Sequence, residues 1–264
     1  RARAPRLNRM LPAAGLGGLL AAGLLGTMVL APSQGEEAPQ DQRFGLLTSL
    51  PIYRAPQGSV ADALSAQEAD RHWLRDAIER SNSLEPIDLL DPASLQAVDT
   101  LLLIQPRALT PAENVALDDW VRSGGQVLLV ADPMLISEPG FALGDPRNPQ
   151  AIAVTGPIQA RWGLTLQPTE QSGTDGDGAE REVRIGDEAL PVVLGGRFAL
   201  RPPAGGEPAD CGLFHEGLVA ACSIGAGRAV VLADATLFER FDTPSDGTAA
   251  FWALLGMMRD APRG

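Results

Sequence analysis

Short apolar runs alternate with amphipathic stretches along residues 43–264. Phe44-Gly45-Leu46-Leu47-Thr48-Ser49-Leu50 stops at Pro51 and predicts a first strand. Residues 66–81 predict a helix, with Ala69, Trp73, Ala77 and Ile78 spaced among charges. Residues 86–90 predict an edge strand, and Asp91-Pro92 opens a helical turn. Thr100-Leu101-Leu102-Leu103-Ile104 is continuously apolar, which suits a strand buried on both faces of a parallel sheet. Thr110, Pro111 and Glu113 spell an N-cap, a first-turn proline and the far end of a capping box. Val115, Leu117, Trp120 and Val121 then form a helical stripe, and Gly124-Gly125 ends it. A second buried strand, 126–131, closes at Asp132-Pro133. Strand, capped helix and strand make a βαβ unit, expected to be parallel and right-handed.

Beyond it, 137–150 reads as loop, 157–162 as a short helix and 164–166 as a strand. The Gly/Asp-rich stretch 171–180 lacks the Asp spacing and distant Glu of a calcium loop and reads as solvated. The C-terminal third predicts antiparallel strands added to the sheet, at 183–185, 192–194, 198–200, 213–214, 218–223 and 229–233. Glu216-Gly217 forms a hairpin turn, 225–228 a second turn, and 248–258 an apolar helix packed on the core. The fold class is therefore α/β, with a largely parallel sheet and antiparallel additions.

The N-terminus changes the picture. Residues 11–31 carry no charge and match the roughly 20 residues a membrane-spanning helix needs. Arg1, Arg3, Arg6 and Arg9 precede this span, and Glu36, Glu37 and Asp41 follow it, which orients the N-terminus inside. The expected organisation is a cytoplasmic stub (1–10), a transmembrane helix or signal anchor (11–31), a linker (32–42) and an extracytoplasmic α/β domain (43–264). A cleaved signal peptide remains the other reading of 11–31, and both readings export the body. The expected location is the inner (cytoplasmic) membrane, single-pass, with the body in the periplasm.

All 21 cations are Arg; setting aside the first four leaves 17 against 33 acids, net −16. So acidic a body excludes a nucleic-acid footprint, and the missing Lys excludes Schiff-base and Walker-A chemistry. No cofactor or metal motif is present: His72 and His215, the two histidines, have no Cys or second His at ligand spacing and read as surface residues. Cys211 and Cys222 fall opposite one another if Glu216-Gly217 is the turn, with pairs running from 215:218 to 211:222. That places them within disulfide reach in an exported domain.

The block 101–133, LLLIQPRALTPAENVALDDWVRSGGQVLLVADP, resembles the GldG-like auxiliary component of ABC-type transport systems. Its marks are a strand, a Pro-Arg-x-Leu-Thr-Pro turn, a helix of the type xxLDxWVxxGG and a strand closing on Asp-Pro. Residues 46–53, 161–164 and 225–234 resemble the same group and related glutamine-amidotransferase-like domains. The resemblance implies a flavodoxin/amidotransferase-like three-layer domain outside the membrane, partnered with an ABC permease and ATP-binding subunits.

Ligands gather at the carboxyl ends of parallel strands, so Thr48, Ser49, Arg107, Asp132 and Asp234 are the candidate contacts. Arg107 leads, because its fork can clamp a carboxylate or phosphate; the plainer reading of the set is turn formation and capping. No Cys follows a parallel strand and there is no Gly-x-Ser-x-Gly, so no catalytic residue is assigned and a binding role is expected. An envelope hydrolase or amidase using Ser49 or Ser123 with His72 or His215 stays open, as does a stand-alone solute- or glycan-binding module.

Overall fold

The computed structural model describes residues 40–53, 71–136, 141–142, 144–145, 148–169, 180–240 and 247–262. The span 11–31, most of the linker, residues 66–70 and the loop 171–179 lie outside the described residues. Among the described residues, no helix is long and apolar enough to cross a membrane.

Eleven strands follow in chain order among these residues: β1 (Arg43–Thr48), β2 (Ser83–Pro86), β3 (Thr100–Ile104), β4 (Gln126–Val130), β5 (Leu164–Gln167), β6 (Arg181–Ile185), β7 (Glu188–Val192), β8 (Arg197–Leu200), β9 (Asp210–Phe214), β10 (Val219–Ile224) and β11 (Gly227–Leu232). Seven form the central sheet in the order β2-β1-β3-β4-β11-β10-β9. The first five of that order run parallel; β10 and β9 add antiparallel pairs at one edge. β5 pairs with β8 and β6 with β7 in separate antiparallel ribbons. The middle strands are apolar without interruption because both faces are covered: Leu101–Ile104, Val127–Val130 and Ala229–Leu232 are all fully buried. The last of these pairs parallel with β4, so it belongs to the parallel body and not to the antiparallel additions expected for the C-terminal third.

The helices are α1 (Trp73–Glu79), α2 (Pro92–Gln96), α3 (Pro111–Arg122), α4 (Gly156–Arg161), α5 (Thr236–Glu239) and α6 (Gly247–Gly256). α3 packs against α2, α4 and β11, while α6 packs against α1 and β7. Both expected starts carry reciprocal caps. Thr110 Oγ1 accepts from Glu113 N while Thr110 N donates to the Glu113 carboxylate, and Asp91 and Ser94 repeat the pattern on α2.

Several boundaries differ from expectation. The edge strand is Ser83–Pro86, not 86–90: its ladder to β1 ends at Pro86, with Ile87 N donating last to Leu46 O. β7 ends at Val192 and contains Pro191, which a two-stranded ribbon tolerates on its open edge. Val115 is exposed; the buried face of α3 is Glu113, Leu117, Asp118 and Val121, so two acids share the face with the apolar residues.

His72 is buried, not a surface residue. Its Nδ1 accepts from Leu74 N at 3.1 Å to cap α1, and its Nε2 donates to Phe238 O at 3.1 Å, so the neutral Nε2–H tautomer satisfies both. Burial pushes its pKa down to about 4. Beside it Trp73, Phe238, Phe251, Trp252 and Phe44 form a continuous aromatic cluster.

The β9–β10 ladder places Phe214 against Val219 and Cys211 against Cys222, and the two sulfurs form a disulfide. The turn is a 3-10 turn, His215–Gly217, with positive φ at all three residues instead of a two-residue link. His215 is exposed on it.

Candidate functional site at the carboxyl ends of the parallel strands

The carboxyl ends of β1, β3, β4 and β11 are tied together by side chains that bond to backbone. Thr48 Oγ1 accepts from Leu50 N at 2.9 Å. Ser49 Oγ donates to Gln105 O at 2.5 Å and accepts from Gln150 N at 2.9 Å. Gln105 is fully buried at the end of β3 with φ 43°, a conformation uncommon outside Gly, Asn and Asp. Its Nε2 donates to the carbonyls of Gln150 (2.7 Å) and Asp132 (3.1 Å), and its Oε1 accepts from Asp132 N (2.8 Å). One amide side chain thus serves the ends of two strands and a distant loop.

Asp132 and Asp234 complete the knot. Asp132 Oδ1 accepts from Met134 N (2.7 Å) and Oδ2 from Ala235 N (2.9 Å). Asp234 Oδ1 accepts from Thr236 N (2.9 Å) and Oδ2 from Val193 N (3.1 Å). Burial raises both carboxyls, and the charge of Asp132 adds to burial in pushing Asp234 to about 7. Glu239, which nothing in the sequence singles out, is also pushed to about 7, by burial first and then by Asp132, against the pull of Arg240. Its Oε1 is buried with no hydrogen-bond partner.

These acids and His72 give stability an unusual pH dependence. Asp234 and Glu239 support the fold while they hold their protons; that support is full below their unfolded values near 4 and is lost as pH rises through about 7. His72 runs the other way: its support is full above about 6.5 and is lost as pH falls toward about 4. Across the shared window two retained carboxyl protons outweigh one refused imidazole proton. Stability is expected to fall by about 1–2 kcal/mol from about pH 5 to about pH 7.5. Urea midpoints at those two pH values check this, and a higher midpoint at the upper one would contradict it.

Arg107 is not brought into this set as a free cation. Its Nη1 and Nη2 hold the Glu113 carboxylate at 3.0 and 2.6 Å, and Nη2 also donates to Asp88 O. Glu113, buried on α3, further accepts from Leu90 N and Thr110 N. The Arg107 contact holds Glu113 down at about 2 despite its burial. Among the described residues no group of three His, Cys, Asp or Glu is placed to hold a metal ion. The sequence does not mark Gln105 or Glu239: Gln105 stands where a strand stops before Pro106, and Glu239 falls between the last strand and the C-terminal helix. Their ties to Asp132 reveal them, hydrogen bonds for Gln105 and charge for Glu239.

No family model matches this chain, and no curated protein matches it. Among solved structures it is similar to the mmIFT52 N-terminal domain, with 11% identity over 84% of this chain and 99% of that one, TM-score 0.48. It is similar to an exo-β-1,4-mannosidase from Opitutaceae bacterium strain TAV5 (12% identity, 84% of this chain, 34% of that one, TM-score 0.41). It is also similar to a β-galactosidase from Rahnella sp. R3 (14% identity, 85% and 32%, TM-score 0.43). The chain spans about a third of the length of those two glycosidases.

Proposed function

We propose that this chain is a membrane-tethered, extracytoplasmic accessory domain of an ABC-type transport system. It acts by binding a protein or ligand, on a flavodoxin- or amidotransferase-like sheet, and not by catalysis. The observation that carries the reading is the Cys211–Cys222 bridge joining the edge strand β9 to β10. A structural disulfide belongs to an oxidising compartment, where the apolar span 11–31 would deliver this body. The strand ends agree with it. The Thr48 and Ser49 hydroxyls and both oxygens of Asp132 and of Asp234 already bond the protein's own backbone. His72, with both ring nitrogens engaged, is no free base for Ser49.

The test uses the full chain with a C-terminal tag in its native host. External protease on spheroplasts is expected to remove the tag, and maleimide is expected to label neither cysteine until a reductant is added. Mild crosslinking is expected to join the chain to a permease and an ATP-binding subunit. A protected tag with two reactive thiols would overturn the location, and a clean uncrosslinked monomer would overturn the partnership.

A further inference from the structure

Beside the knotted strand ends lies an open trough of about 350 Å³ between α4, β5 and the segment that follows β4. Its walls are apolar, formed by Ile152, Ala160, Leu164 and Leu166. One of these, Ile152, faces water at 64% exposure. Its polar lining residues are Gln159, Thr165 and Arg201. Gln159 is 2% exposed; its Nε2 donates to Thr155 Oγ1 at 2.8 Å, and its carbonyl oxygen bonds to no described residue. Arg201, fixed through its own N–H to Gly163 O at the end of the β5–β8 ribbon, carries no ion pair or side-chain hydrogen bond among the described residues. Arg43, Arg71, Arg75, Arg107, Arg122, Arg161 and Arg240 all pair with carboxylates. In a chain of net charge −12, an arginine that lines an apolar trough and meets no carboxylate among the described residues offers a positive charge to a ligand.

We propose that this trough binds a small apolar monocarboxylate, its hydrocarbon chain against Ile152, Ala160, Leu164 and Leu166 and its carboxylate on the Arg201 fork. The geometry suits the general form of ligand sites, an apolar concavity with a few convergent polar groups. Arg offers a carboxylate two parallel charge-assisted donors, whereas an alcohol oxygen carries no charge and takes no such bidentate pair. The buried Gln159 amide sets the polar end of the trough, with its carbonyl available to a ligand hydroxyl or water. The site goes beyond the transport reading and does not depend on it, because the titration reads the trough alone.

Calorimetric titration of the full chain in detergent, with protein-free micelle blanks, uses hexanoate, butanoate and hexan-1-ol as probes. Hexanoate is expected to bind about tenfold more tightly than butanoate and about tenfold more tightly than hexan-1-ol. Arg201→Gln is expected to weaken hexanoate about tenfold and to leave hexan-1-ol within about twofold. Arg201 is exposed and has no ion pair among the described residues, so this variant is expected to keep the fold. Ala160→Phe, which fills the trough, is expected to abolish both. Equal affinity for hexanoate and hexan-1-ol, an unchanged Arg201→Gln variant, or no heat from any probe would each overturn the site.

Discussion

Asp118→Ala is expected to destabilise the protein by about 3–5 kcal/mol, the range for leaving one member of a buried ionic group without its partner. The Asp118 side chain is fully buried on α3 and joins that helix to α4. Its Oδ2 accepts from Arg122 Nε at 2.9 Å and from Arg161 Nε, and its Oδ1 accepts from Trp162 Nε1 at 3.0 Å. Burial alone would raise this carboxyl, but the bonds from Arg122, Arg161 and Trp162 hold it below the ordinary carboxylate range. Removing it strands an indole N–H and two guanidinium groups, one of which, Arg122, already has a buried Nη1 without a partner. Asp119 is the internal control: it is exposed, and Asp119→Ala is expected to move stability by no more than about 0.5 kcal/mol. Denaturant midpoints of the two variants check the contrast. Equal effects would mean that Asp118 is not the link between the helices.

That pair of neighbouring aspartates shows where the sequence was legible. The start of α3 is local chemistry, a cap three residues from its partner with a proline between, and Thr110, Pro111 and Glu113 spell it in the sequence. The buried strands were also legible, because a sheet covered on both faces leaves continuous apolar runs. The register of β9 against β10 followed from counting outward from a turn, although the turn itself proved longer. The illegible parts are those decided by distant partners. Glu113 and Asp118 look like solvent-facing helix charges, yet each is buried because an arginine meets it, Arg107 and Arg161 respectively. His72 looks like a residue in a charged helix, yet it caps that helix and bonds to Phe238, 166 residues away. At the candidate site the strand ends were legible as Thr48, Ser49, Asp132 and Asp234. Gln105, which bonds to both Ser49 and Asp132, was not, since nothing in a Gln-Pro pair marks a buried amide at positive φ. Polar atoms in a core must find partners, but the sequence does not say which.

Gly227→Ala is expected to be the most damaging of the conservative substitutions, at about 3 kcal/mol or more, because the overpacking is against backbone that no rotamer change can relieve. A Cβ on Gly227 would lie 1.9 Å from Val121 O and 2.4 Å from Gly125 O. The close approach is enforced by the chain on both sides. Ala226 N donates to Arg122 O at 2.9 Å and Arg228 N to Gly125 O at 3.1 Å, so the start of β11 is clamped onto the end of α3. Making room therefore means lifting β11, which is the parallel neighbour of β4 and the antiparallel neighbour of β10 at once. For a domain of this size the loss corresponds to a fall in Tm of about 6–12 °C. Gly156→Ala makes the same chemical change where a Cβ meets nothing within 4 Å, at the first turn of α4. There it is expected to be neutral or to stabilise by about 0.4–1 kcal/mol, through the smaller freedom of the unfolded chain. Thermal unfolding of the two variants side by side separates packing at the α3–β11 junction from the general effect of replacing a glycine; a Gly227→Ala protein that melts with the wild type would show that β11 can move off α3 at little cost.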